Sequence, residues 1–249
     1  MSSSRPIVNL KQLPEDSHWE LSDASRAVHQ RLGVGGLAWR VRELLNKQEL
    51  SALQDFGRAN CSQPVGHDGI LAHYNDNDPV GSWRTSVFAP RLAQRLWQRL
   101  QGLPWPEQLG AQGHSDWDGH SKWKACGVNP LFRFIQYRPG AGELVAHYDA
   151  PYVESLTRRT LFSLLLYLSS NPRDGFTRFL HDPQDVLALD KRDFSDWSRC
   201  AQGSEVRMGC IAVQGDALVF EHRLLHDSSA MRESTKLVAR TDIVFEKVL

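Results

Sequence analysis

The chain has 249 residues, enough for one large β-rich or α/β domain or two small ones. With 41% hydrophobic and 23% charged residues it is ordinary globular material, which excludes wholesale disorder. Its 29 basic residues balance 29 acidic ones, and a zero balance argues against a general phosphate-tracking surface, whose affinity comes from excess Lys and Arg. The N-terminal stretch has no apolar signal region, and no run of about 18 apolar residues occurs anywhere. Cys61, Cys126, Cys200 and Cys210 are scattered without a C-x-x-C pair, which fits neither a disulfide framework nor a zinc site. These features predict a soluble, cytoplasmic protein with no membrane partner, and they argue against a nucleic-acid partner without excluding a local basic patch.

In chain order, the first hundred residues read as helical. Ala38–Asn60 puts Val41, Leu44, Leu45, Leu50, Leu53 and Phe56 on roughly one face. Arg91–Leu100 repeats the pattern behind Pro90, a residue tolerated at a helix start. Residues 101–128 mix Gly, Pro, His and Trp without a period and read as loop. From Leu131 the period becomes two. Leu131–Tyr137 runs into Arg138-Pro139-Gly140, a turn signal. Leu161–Leu168 is apolar on both faces, as a strand buried on both sides would be. Thr177–Leu180, Ala217–Glu221 and Lys236–Phe245 add further strands. Many short strands after a helical layer predict a mainly β sandwich or jelly roll buttressed by α-helices. The long polar stretch Asp182–Glu205, with Phe194 and Trp197, reads as a lid or substrate-contacting insertion.

The chemistry concentrates in Val145-Ala146-His147-Tyr148-Asp149. In extended chain, His147 and Asp149 project from the same face and can ligate one metal ion. Gly215–Phe220 leads to His222 and His226, and a ligand from His226 would complete a two-His, one-carboxylate facial triad. Such a triad leaves positions open on non-haem Fe(II), enough for a bidentate 2-oxo acid and dioxygen. His114-Ser115-Asp116 is a second copy of the H-x-D pattern, so the pattern alone is weak and the surroundings must decide between the copies.

Those surroundings resemble a known family. The blocks FRFIQYRPGAGELVAHYDAPY, LLLYL, DGFTRF, GDALVFEHRLLHDS and KLVARTDIVF, in this order, are similar to the Fe(II)/2-oxoglutarate-dependent dioxygenases of the prolyl-4-hydroxylase-like branch, across nearly half the chain. The resemblance implies a double-stranded β-helix (jelly-roll) catalytic core over residues 129–249, preceded in the same single domain by a helical layer and loops over 1–128. It implies His147, Asp149 and His226 as iron ligands, with His222 a local rival for the last position. Fe(II), 2-oxoglutarate and O2 would be consumed as in the family, with succinate and CO2 as coproducts and a C–H bond hydroxylated. Because related halogenases lack the carboxylate ligand, Asp149 points to hydroxylation or desaturation over chlorination.

Tyr137, ten residues before His147, matches a family tyrosine that hydrogen-bonds the cosubstrate's C5 carboxylate, and Tyr167 another position lining that pocket. Gly175 and Arg178 match a G-x-T-R-F signature of structural character. A buried C5 carboxylate needs a cation. Lys236 stands ten residues after His226 and Arg240 fourteen; they share a strand face, Lys236 is the first choice, and the other would be a strand-end charge. Arg133 shares the inward face with Ile135 and Tyr137, and reads equally as a holder of a substrate carboxylate or as the partner of a buried acid. Trp83, Trp117, Trp123 and Trp197 read mainly as packing, with a substrate wall as the other role. A small or amino-acid-like substrate fits a chain with no peptide-binding module, with a peptidyl residue as the alternative. The competing functions are a non-catalytic metal- or ligand-binding barrel acting as sensor or scaffold, and a nucleic-acid demethylase using the same chemistry.

Overall fold

The computed structural model describes residues 28–66, 80–106, 121–140, 143–188 and 191–248. The His114–Asp116 copy of the H-x-D pattern and Trp117 lie outside the described residues, as does the N-terminal segment. β1 (Val28–Arg31) and β2 (Ala38–Arg42) lead to α1 (Lys47–Asn60), and β3 (Gln63–Gly66) and β4 (Val80–Phe88) to α2 (Pro90–Leu100). Then come β5 (Lys122–Val128), β6 (Leu131–Tyr137), β7 (Leu144–His147), β8 (Val153–Ser155) and β9 (Arg158–Tyr167). β10 (Thr177–Leu180), β11 (Val206–Cys210), β12 (Ala217–Glu221), β13 (His226–Ser228) and β14 (Lys236–Val248) complete the order. The major sheet runs β1-β2-β12-β9-β14-β6-β4-β3, with β5 also on β14 and β8 on β9; the minor sheet runs β11-β10-β13-β7. All these pairings are antiparallel. This is the mainly β jelly roll buttressed by helices that the strand pattern predicts.

The major sheet is covered on both faces, and its alternation explains how. On β6, β9, β12 and β14 one set of side chains (Phe132, Phe134, Leu164, Leu166, Val219, Ala239) joins the cluster that packs against α1 and α2. The alternate set, Tyr137, Tyr167, Leu218, Phe220 and Val238, forms a second cluster facing the minor sheet. A strand sandwiched this way must be apolar at nearly every position, which is why Leu161–Leu168 shows no period. α1 lies close: Phe56 meets Phe134 edge-on at 4.9 Å between centroids. A Cβ on Gly57 would sit 3.0–3.1 Å from Leu237 and Phe134, so the glycine sets the helix–sheet spacing.

Two expectations are corrected. Ala38–Arg42 is not the start of a helix: it is β2, hydrogen-bonded between β1 and β12. Its buried Trp39 and Val41 follow a strand period that happens to run in phase with the helical residues after it, and the helix begins only at the capping box of Asn46 and Glu49. Residues 122–128 are not loop but β5, whose buried Trp123, Ala125 and Val128 face the core beside β14. Trp123 is fully buried, a packing residue. The four cysteines are free thiols.

Glu49 ties the helical layer together. Fully buried, it accepts two hydrogen bonds from Arg99 of α2, at 2.7 and 2.8 Å, and closes the α1 cap by accepting from the Asn46 N–H at 3.0 Å. Arg99 also donates to the Leu44 carbonyl. Glu49→Ala leaves a desolvated guanidinium against no acid and should lower stability by roughly 3–5 kcal/mol. Glu49→Gln, which can still close the cap, should lose less. Urea denaturation of both variants beside the unaltered protein checks the order: equal midpoints for the two variants would show that the cap contributes nothing, and a Glu49→Gln midpoint equal to that of the unaltered protein that the ion pair contributes nothing.

Candidate metal centre

The minor sheet brings the sequence-distant ligands together. β13 pairs with β7 so that His226 stands directly across from His147, and their rings lie 4.2 Å apart. Asp149 follows the end of β7, where its backbone N–H donates to the His222 carbonyl at 2.8 Å. Asp149 Oδ1 is 3.6 Å from His147 Nε2 and Oδ2 is 3.7 Å from His226 Nε2. The three ligating atoms lie within 4.8 Å of one another, the arrangement that could hold one ion. His222 stays outside this group, with Nε2 3.4 Å from Asp242.

The donor set fits a divalent ion. Nδ1 of His147 meets the Val145 carbonyl at 2.7 Å and Nδ1 of His226 meets the Leu224 carbonyl at 2.8 Å. A carbonyl can only accept, so each Nδ1 carries a proton, which leaves each Nε2 as the ligating atom once it is deprotonated. Burial and the neighbouring His147 push His226 down to about 3, so it is neutral near pH 7. Burial alone would lower His147, but the hydrogen bond and charge of Asp149 outweigh it and raise it above the usual imidazole range. Burial would raise Asp149, yet Arg240, His226 and His147 hold it well below the carboxylate range. Arg240 meets Asp149 Oδ1 at 2.8 Å, and the Ser163 hydroxyl donates to Oδ2.

A cavity shared by all three ligands is also lined by Tyr137, Lys236 and Arg240. Lys236 is wholly buried and stands across from Tyr137 in the β6–β14 register. Its ammonium donates to the Gly175 carbonyl at 2.7 Å and to Ser228 Oγ at 3.1 Å, and lies 5.5 Å from the Tyr137 ring and 6.0 Å from that of Tyr167. Burial drives it down to about 7. Tyr167 sits deeper, donating its hydroxyl to Thr177, and burial pushes Tyr137 up to about 12. Gly175 has φ +62°, and a Cβ there would fall 1.9 Å from Met231 Sδ; only glycine presents this carbonyl to the lysine. Arg178 forms a two-pronged pair with Asp227 at 2.7 and 2.6 Å, bracing the strand that carries His226.

Among the other expected residues, Arg133 is half-buried on the inward face with Arg240 opposite it. Trp83 lies under Arg138. In the 182–205 stretch, Trp197 and Arg199 hydrogen-bond along Ala146 of β7, and Phe194 packs on Tyr148, so this stretch walls the ligand-bearing strand. Ser163 and Asp242 went unread. Ser163 is the one polar residue in the apolar run Leu161–Leu166 of β9, and Asp242 extends the 236, 238, 240 series; both signals are in the sequence.

No protein-family model and no curated protein matches this chain. Among solved structures it is similar to the viral collagen prolyl hydroxylase of Paramecium bursaria Chlorella virus-1, solved with 2-oxoglutarate, at 15% identity over 84% of this chain and 95% of that one, TM-score 0.44. A Pseudomonas putida prolyl-4-hydroxylase matches at 16% identity over 83% of this chain and 91% of that one, TM-score 0.45. HygX from Streptomyces hygroscopicus, solved with nickel, 2-oxoglutarate and hygromycin B, matches at 10% identity over 84% and 82%, TM-score 0.43.

Proposed function

We propose that this protein is an Fe(II)- and 2-oxoglutarate-dependent oxygenase that hydroxylates an unactivated C–H bond of a small, amino-acid-like substrate. The observation that carries this reading is the convergence of His147, Asp149 and His226, with both imidazoles turned by backbone carbonyls, on a cavity that also holds a buried lysine. A ferrous ion with chelated 2-oxoglutarate and dioxygen supplies the oxidising chemistry, leaving succinate and carbon dioxide. The protein's share is positioning and charge. His147 and His226 supply neutral nitrogen donors, and Asp149 supplies a carboxylate kept ionised by Arg240. Lys236, helped by Ser228 and Tyr137, neutralises the distal carboxylate of the cosubstrate, with Tyr167 supporting the floor beneath. Arg240 is assigned to Asp149 and the mouth of the site.

Anaerobic addition of Fe(II) and 2-oxoglutarate should give the weak visible band of the chelate, and air should then yield succinate; His147→Ala should lose both. Metal-replete protein showing neither signal removes this reading. The charge states set two opposite pH trends. His147, raised above about 6.5, binds a proton that metal must displace, so metal affinity should fall as pH drops through its pKa and level off above it. Competition titrations with Co(II) check this, and a flat profile between about pH 5.5 and 8.5 contradicts it. Lys236 loses its proton near pH 7, so 2-oxoglutarate should bind more weakly as pH rises above that point and should draw a proton in. Calorimetry in buffers of different ionisation heat reads that uptake. Lys236→Ala should cost about 10–100-fold in 2-oxoglutarate affinity, and a larger loss in Arg240→Ala would reverse the assignment.

A further inference from the structure

The inner face of the major sheet carries more positive charge than the metal centre uses. In the β6–β14 register Arg133 stands directly across from Arg240, so two guanidinium groups share one face. Like charges in adjoining cross-strand positions are unfavourable unless something negative comes between them. Asp149 engages Arg240 through one terminal nitrogen, while the buried Nε of Arg240 has no hydrogen-bond partner. Arg133 feels Asp242 and Asp149 only across space, against the repulsion of Arg240. Beside them is a buried acid with capacity to spare. Asp242 Oδ1 is 3.6 Å from Arg240 and 3.4 Å from His222, and accepts no hydrogen bond.

Two cavities, of about 330 and 390 Å³, share Arg133, Tyr152, Arg240 and Asp242 in their linings. The first also touches His147 and Asp149. The shared residues thus present guanidinium donors and a carboxylate acceptor together, within a space that reaches the metal ligands. Resting on the oxygenase reading above, we propose that this junction recognises the substrate and that the substrate is a free α-amino acid. Its carboxylate lies against the guanidinium of Arg133, with that of Arg240 alongside, and its ammonium against the carboxylate of Asp242. Its side chain runs past Ile135 and Leu144 towards His147 and Asp149. A free α-amino acid carries both charges on one carbon; the backbone of a residue inside a peptide carries neither. A site built for a charged group rejects an analogue lacking it, because its own buried groups are then left unpaired.

The test is equilibrium binding to the full chain loaded with Zn(II) and 2-oxoglutarate, where no turnover occurs, by ligand-observed NMR. The probes are free L-proline, valine, leucine, isoleucine and methionine, their N-acetyl forms, their carboxamides, and a proline-containing hexapeptide. At least one free amino acid should bind, with its N-acetyl and carboxamide forms at least about tenfold weaker. Arg133→Gln should lose the same factor and Arg133→Lys should recover part of it. The proposal is overturned if no free amino acid binds while Zn(II) and 2-oxoglutarate do, an outcome that leaves the oxygenase reading standing. It is equally overturned if the neutralised forms or the hexapeptide bind as tightly as the free amino acids. Failure of 2-oxoglutarate itself to bind overturns the oxygenase reading and this one with it.

Discussion

The charge of Asp149 is the constraint around which the interior is arranged. A carboxylate buried in a β sandwich is costly unless each oxygen is engaged, and this one meets Arg240, Ser163 and two imidazoles. Every one of those partners needs a fixed place. Ser163 needs β9, Arg240 needs β14, and the imidazoles need β7 and β13. The carboxylate therefore draws on both sheets at once.

The major sheet supplies this by keeping its two faces chemically distinct. Towards the helices its strands present Phe, Leu and Val, and the fold takes most of its apolar burial there. Towards the minor sheet the same strands present Arg133, Tyr137, Lys236, Arg240 and Asp242, interleaved with Ile135 and Val238. One long strand, β14, carries three of these ionisable groups at alternate positions. Strand parity thus separates a wholly apolar face held by the helical layer from a face that mixes a second apolar cluster with ionisable groups.

Parity also decides how much was legible in the sequence. His147 and Asp149 share a face because they are two apart in extended chain, and the inward run of Arg133, Ile135 and Tyr137 follows from the same rule; both hold in the structure. The short strand Ala38–Arg42 was not separable from α1, since four or five residues carry too little period to tell strand from helix. Only the Asn46–Glu49 cap marked the boundary. Residues 122–128 hid behind a Gly- and Trp-rich stretch. What no local pattern carries is the meeting of Arg240 with Asp149, or of Lys236 with the Gly175 carbonyl, because those depend on which strands become neighbours.

The cross-strand seating of His147 and His226 lies in the four-stranded sheet, while Arg240, Ser163 and Lys236 belong to the larger one. The centre therefore works as a gauge of the gap between layers. Any breathing of the sandwich that widens this gap draws Arg240 and Ser163 away from Asp149, although every ladder of backbone hydrogen bonds stays closed. Such loosening would strip the carboxylate of its cation and its hydroxyl while the three ligands stay together on their own sheet.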